Sequence, residues 1–297
     1  MIHLKDYVVQ RSEFRLEISE LILQGRKNFI IGKNGSGKTT LLQSLAGLLE
    51  SSGIFEVNGT NKTGKAPERR NVGYIPQDLL LFGRMSVENN LMTPIKYGNG
   101  DIEIYEQLVE RMGLTPLLLK KSSDISLGQA QKAAIARAII SRPSILLMDE
   151  PFSFQDEIAR LGLISLIDEF SRKYGFDYIY ATHDSRDLET GFSNLVSIDD
   201  GRIIESVDSL SKIEHFRTLS LLDYKNLASV EGHYFALTET ALEFNDISGS
   251  EYDIVGLDRN RYIRFNLNGT YFFASINSTP QGRFVKLNTS NAREMEY

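Results

Sequence analysis

The apolar positions along this chain follow two different periods. Up to about residue 216, short apolar runs alternate with segments of helical spacing; beyond about residue 217 the period becomes two. Residues 27–31, Lys-Asn-Phe-Ile-Ile, read as a buried strand that runs directly into a glycine-rich loop, and Lys38–Leu48 reads as a helix ending near Gly47. Val72–Ile75 predicts a second strand, leading into Pro76-Gln77. Ser86 suits the N-cap of a short helix through Leu91, and helical spacing resumes over Ile102–Met112 until Gly113 stops it. An alanine-rich helix is expected over Gly128–Ile140, closed by Pro143 and followed at once by a strand, Ser144–Met148. A helix over Glu157–Tyr174, stopped at Gly175, separates that strand from another at Tyr178–Ala181. The unbroken apolar character of these strands suits central parallel strands covered on both faces.

This alternation predicts an α/β core whose ligand lies above the carboxyl edge of a mostly parallel sheet. Asp200-Gly201 has hairpin chemistry between Leu195–Ile198 and Arg202–Ile204, and a short helix over 208–216 is expected to close the first domain, residues 1–216. In the second, residues 217–297, Ile263, Phe265 and Leu267 share one face before Asn268-Gly269 turns the chain into Tyr271–Ile276. Further strands are expected at 229–236, 239–245, 252–257 and 283–288, so this segment reads as a small antiparallel sheet or barrel of the OB type.

Composition narrows the classes. The 297 residues carry a formal net charge of -6, with 41% hydrophobic and 24% charged residues, which is ordinary for a folded soluble protein and argues against a nucleic-acid binder. The absence of cysteine rules out disulfides and thiolate metal sites. An acidic residue at position 6 and the lack of an apolar stretch of signal length argue against secretion, and no apolar run approaches the ~20 residues of a membrane span. If a membrane is involved, another chain must cross it.

The chemistry is concentrated in Gly32-Lys33-Asn34-Gly35-Ser36-Gly37-Lys38-Thr39, which matches the pattern Gly-x-x-x-x-Gly-Lys-Thr. Glycines let the backbone turn and approach a phosphate, Lys38 neutralises phosphate oxygens, and the short Thr39 hydroxyl reaches Mg²⁺; Asn34, Gly35, Ser36, Gly37 and Thr40 complete the cradle at the helix N-terminus. A magnesium nucleotide also needs a carboxylate at the tip of a second buried strand, and Asp149 follows Ile145-Leu146-Leu147-Met148. An isolated Asp-Glu pair is usually a solvated loop; behind such a strand, Asp149 is expected to hold Mg²⁺ and Glu150 to orient or deprotonate the attacking water.

Ile125-Ser126-Leu127-Gly128-Gln129, placed shortly before the Asp149 strand, resembles the Leu-Ser-Gly-Gly-Gln signature of ABC ATPases. The resemblance covers roughly residues 1–216 and implies a P-loop core with an antiparallel β subdomain and a helical subdomain. It identifies Gln77 as the loop glutamine that senses Mg²⁺ and the membrane partner, and His183 in Ala-Thr-His-Asp as the switch histidine at the γ-phosphate. It also implies an aromatic residue stacking on adenine, for which Tyr7 is the candidate with Phe14 behind it. His3, His215 and His233 have no such placement.

By the same resemblance, ATP and Mg²⁺ bind between one chain's phosphate loop and the Ser126, Gly128 and Gln129 of a second ATPase subunit, identical or different. The implied role is the cytoplasmic energy subunit of a membrane importer, held at the inner face of the membrane by separate permease subunits touching Gln77 and the helices of 86–112. Importer ATPases of the molybdate and maltose types are similar in carrying a small C-terminal β domain. The rival is a soluble ABC ATPase acting on nucleic acid or ribosomes, disfavoured by the acidic balance and the short stretch between Gln77 and the signature. Two positions depart from the family pattern on the expected intersubunit surface: Leu127 stands where the signature has a glycine, and Phe154-Gln155 precede Asp156 where Ala-Leu is common.

Overall fold

The structure is a computed structural model that describes residues 1–152, 155, 157–183 and 185–208 and the strands that follow them. The chain divides into two compact units, Met1–Lys212 and Ile213–Tyr297. The first unit runs β1 (Ile2–Arg11), β2 (Phe14–Leu23), β3 (Lys27–Ile31), α1 (Lys38–Ala46), β4 (Ser52–Val57), β5 (Thr60–Asn61) and β6 (Val72–Ile75). It continues with α2 (Val87–Tyr97), α3 (Ile102–Arg111), α4 (Leu127–Ile140), β7 (Ile145–Asp149), α5 (Glu157–Tyr174), β8 (Asp177–Thr182), β9 (Asn194–Asp199) and β10 (Arg202–Val207).

All ten strands join one sheet in the order β5-β4-β1-β2-β10-β9-β3-β8-β7-β6. The run β9-β3-β8-β7-β6 is parallel, with every described residue of β3, β7 and β8 buried, as their continuous apolar character requires. The other half is largely antiparallel, so the sheet is mixed rather than mostly parallel. Asp200 and Gly201, with φ of 45° and 71°, make the tight turn that reverses the chain between β9 and β10. Leu41, Leu42 and Leu45 of α1 join Ile2, Leu4, Leu16, Phe55, Ile145 and Leu147 in one core.

Helix boundaries follow local chemistry. Gly47 ends α1 in the left-handed conformation with φ 85°, returning its N–H to the Gln43 and Ser44 carbonyls. Ser126 caps α4 in a reciprocal box with Gln129, and α2 and α3 pack on α4 to form a helical subdomain. Helix α2 begins at the expected Ser86 cap but runs on past Leu91 to Tyr97 with Pro94 inside it, because Val87, Asn90 and Leu91 bury a face that tertiary packing rewards. Asn90 secures it by donating to the Phe82 and Ser86 carbonyls and to the Ser122 hydroxyl.

In the second unit the strands are β11 (Leu227–Val230), β12 (His233–Ala236), β13 (Leu242–Asn245), β14 (Ser250–Leu257), β15 (Asn260–Leu267), β16 (Thr270–Ile276), β17 (Phe284–Leu287) and β18 (Arg293–Met295). They form antiparallel sheets β11-β12-β18 and β13-β17-β14-β15-β16. The Leu267↔Thr270 pair brackets the predicted Asn268-Gly269 turn. The single strand expected over 229–236 is two strands paired as a hairpin, and β18 carried no clear sequence signal. The expected helix over 208–216 lies outside the described residues, apart from Asp208.

Candidate nucleotide-binding site

Four segments leave the carboxyl ends of parallel strands on one edge of the sheet: Gly32–Gly37 after β3, Gln77 after β6, Glu150 after β7 and His183 after β8. Asn34, Gly35 and Gly37 of the loop, Gln77, Glu150 and His183 line one cavity of about 790 Å³ together with Lys38, Thr39, Thr40 and Asp149. Arg11, Ser12 and Phe14 from the β1–β2 hairpin also line it.

The loop presents its backbone to this space. Helix α1 starts at Gly37, φ 111°, without a capping side chain, so its first-turn N–H groups and the positive end of its dipole are available to an anion. Gly37 must also be a glycine for packing: a Cβ there would lie 2.9 Å from Cζ of Phe14. The Lys38 ammonium donates to the Gly32 and Lys33 carbonyls at 2.7 and 3.0 Å, which leaves one of its three hydrogens for a ligand. From below, the Gly201 N–H donates to the Ser36 carbonyl at 2.9 Å, so the β9–β10 turn braces the loop.

Burial pulls the Lys38 ammonium below the usual lysine range, opposed by the charges of Glu150 and Asp149. Burial lifts the Asp149 carboxyl above its usual range; its hydrogen bond from Thr39 opposes that, the Glu150 charge adds to it, and Lys38 opposes it. Asp149 is 3% exposed. A hydroxyl and a buried carboxylate in contact form a hard oxygen pair that fits Mg²⁺, and the Lys38 ammonium beside them fits a phosphate group.

Glu150 takes the left-handed backbone conformation, φ 49°, while its N–H is held by the Ala181 carbonyl at 2.9 Å. Its Oε1 lies 2.8 Å from Nδ1 of His183, and Gln77 donates to its Oε2 at 3.5 Å, the long limit of such a bond. The three groups expected at the reacting phosphate are therefore joined through one carboxylate.

Behind His183, Asp187 is 1% exposed and accepts from Arg160, from the Tyr180 hydroxyl and, at 2.7 Å, from the Thr182 hydroxyl. This buried network pins the segment after β8 to α5, and no local pattern in the sequence announced it.

Tyr7 does not reach the cavity. It is fully buried in the core, and its hydroxyl donates to Oγ of Ser44 at 3.1 Å, so the adenine contact expected of it is corrected. The cause is a register shift in β1 between Lys5 and Val8, with Asp6 at φ 48°, which puts Tyr7 on the same face as Ile2 and Leu4. Phe14, placed behind Tyr7 in the sequence reading, is the aromatic that lines the cavity.

Ser126, Gly128 and Gln129 lie outside the cavity of their own chain, at the start of α4, with Leu127 exposed beside them. The Gly128 carbonyl accepts from the side chain of Gln155 at 2.7 Å, which ties the segment after Glu150 to this helix start.

The ABC transporter family profile matches residues 17–153, from β2 through Asp149-Glu150. The thiamine import ATP-binding protein of Histophilus somni is 34% identical over 205 residues, covering 67% of this chain and 94% of that protein. The chain belongs to the ABC transporter ATP-binding family. Within this family it is 37% identical over 185 residues to the molybdate/tungstate import ATP-binding protein of Pyrococcus horikoshii, covering 60% of this chain and 52% of that one. It is 34% identical over 215 residues to the molybdenum import ATP-binding protein of Rhodobacter capsulatus, covering 70% and 59%. The chain thus spans between about half and three fifths of the length of these two relatives.

A solved ATP-binding subunit of an ABC transporter superposes with TM-score 0.65 at 26% identity, covering 75% of this chain and 95% of that one. A dimeric cassette bound to ADP and phosphate in a post-hydrolysis state shares the fold, with TM-score 0.62 at 21% identity and coverage of 70% and 98%. No helix among the described residues of this ABC-family chain is long and apolar enough to cross a membrane.

Proposed function

We propose that this chain binds ATP with Mg²⁺ at the loop Gly32–Thr39, hydrolyses it, and so energises a membrane importer. The observation that carries this reading is the convergence of Lys38, Thr39, Asp149, Glu150, Gln77 and His183 on one cavity. The loop's N–H groups and Lys38 hold the β and γ phosphates, with Asn34, Gly35, Ser36, Gly37 and Thr40 forming the cradle. Thr39, Asp149 and Gln77 would hold a magnesium ion, which would supply positive charge to offset that of the phosphates. Glu150 orients the attacking water and takes its proton. An ionised Glu150 can only accept from His183, so Nδ1 carries the hydrogen, and Nε2 donates to the γ-phosphate only when it carries a proton as well.

The site is half of a composite one: Ser126, Gly128 and Gln129 at the start of α4 serve the ATP of a second ATPase subunit, and hydrolysis separates the pair. The core, residues 1–216, docks through the region of Gln77 and α2–α3 on separate permease subunits at the inner face of the membrane. The β-rich residues 217–297 form a regulatory or dimer-stabilising domain. The import names of the relatives support transport into the cell.

Purified full-length chain is expected to release phosphate from ATP in a Mg²⁺-dependent reaction, and an affinity-tagged chain to retain permease subunits from native membranes. No Mg²⁺-dependent phosphate release, with or without those permeases, would overturn the reading.

A further inference from the structure

We propose that Tyr74 is a positioning residue for Asp149, its hydroxyl hydrogen serving the carboxylate that would hold magnesium. This rests on the reading of the cavity as a magnesium-nucleotide site.

The placement follows from strand register. In the parallel pair β6–β7, Tyr74 stands opposite Leu147 and Ile75 opposite Met148, so Asp149 lies two residues further along the face that Tyr74 and Leu147 share. That face packs on α1: Leu147 joins Leu41, Leu42 and Leu45 in the core, and the Tyr74 ring packs against the same cluster. On α1, Thr39 and Gln43 are four residues apart and therefore on one side of the helix. Thr39 donates to Asp149, and one turn further along the helix the Gln43 side chain approaches the Tyr74 hydroxyl as a donor. Tyr74 and Gln43 thus form the layer beneath the Thr39–Asp149 pair.

The Tyr74 hydroxyl has unmet bonding capacity. Its oxygen is shut off from solvent, yet it completes no hydrogen bond among the described residues, and the approach of Gln43 as a donor leaves its hydrogen without an acceptor. Burial raises the hydroxyl above the usual tyrosine range and the Asp149 charge adds to this, so the hydrogen stays in place at neutral pH. Of the two carboxylates whose charges act on it, Asp149 acts more strongly, and Asp78 is exposed to water. A hydroxyl hydrogen offered to a buried carboxylate favours its charged form, which is the form that binds a cation.

The test compares Tyr74→Phe, which keeps the ring, with the unsubstituted full-length chain. Removing an unsatisfied buried hydroxyl breaks no hydrogen bond, so the denaturation midpoint without Mg²⁺ or nucleotide is expected to stay the same or rise. In calorimetric titrations of ADP at graded Mg²⁺, the Mg²⁺ concentration giving half of its effect on ADP affinity is expected to rise about tenfold. ADP affinity without Mg²⁺ should not change. An unchanged Mg²⁺ requirement would overturn the proposal. So would an equal loss of ADP affinity with and without Mg²⁺, the mark of a merely structural hydroxyl. If Mg²⁺ does not alter ADP binding to the unsubstituted chain, the magnesium site itself is overturned.

Discussion

Nδ1 of His183 lies 2.8 Å from Oε1 of Glu150, although the two residues stand at the ends of different strands and 33 positions apart. The contact holds the carboxylate that follows Asp149 in one orientation. Glu150→Gln preserves the side-chain shape but removes the carboxylate proposed as the base. Phosphate release is expected to fall about 10²–10³-fold, with MgATP affinity retained. Measuring turnover and binding on one preparation checks this; undiminished turnover would remove Glu150 from the base role.

Asp149 gives a pH dependence. Burial raises its carboxyl in the folded chain, so as pH rises through that window the native state holds a proton that the unfolded chain has already lost. The native chain then binds more protons than the unfolded one, so the contribution of Asp149 to stability is largest below its unfolded pKa and is lost as pH rises through the folded value. Asp149→Asn should therefore raise the neutral-pH denaturation midpoint while abolishing the effect of Mg²⁺ on nucleotide affinity. A lower midpoint at neutral pH would contradict the assignment.

Tyr7→Phe removes only the hydrogen bond to Ser44. A loss of about 1 kcal/mol in urea unfolding is expected, with nucleotide affinity unchanged. A drop in affinity at equal stability would return Tyr7 to the binding surface.

Asp187→Ala leaves the Arg160 guanidinium buried without the carboxylate it now contacts, together with the hydroxyls of Tyr180 and Thr182. Removing one partner of a buried pair costs about 3–5 kcal/mol, read by chemical denaturation. A cost under about 1 kcal/mol, the range of exposed pairs, would show that the network does not pin the segment behind His183.

Leu127, 48% exposed at the first position of α4, brings a branched side chain to the helix start that is proposed to meet the second subunit's phosphate. In a Glu150→Gln background, Leu127→Gly is expected to increase the ATP-dependent dimer fraction on gel filtration. An unchanged fraction would show that Leu127 already points clear of the contact.

Much of the core could be read locally. The strand into Gly32, the helix Glu157–Tyr174, the Ser86 and Ser126 caps and the Asp200-Gly201 turn each depend on neighbouring residues alone, which is why their chemistry is visible in order along the chain. Strand alternation failed at Tyr7 because Asp6 adopts φ 48° and shifts the pattern, while a side chain on Gly53 would meet the Asp6 carbonyl at 2.1 Å. That fit involves β4, a strand far along the chain from Asp6, and no local period contains it.

The sequence by itself determined the composition of the phosphate loop and the carboxylates that follow a buried strand, since a tight glycine backbone, an ammonium and a strand-tip Asp-Glu pair are local chemistry. Tertiary structure decided which side chains meet. Strand order in the sheet brought Gln77 and His183 to the Glu150 carboxylate, the β9–β10 turn under Ser36, and Arg11 and Phe14 in place of Tyr7 to the cavity. Those contacts depend on sheet order and strand register, which distant pairings fix together.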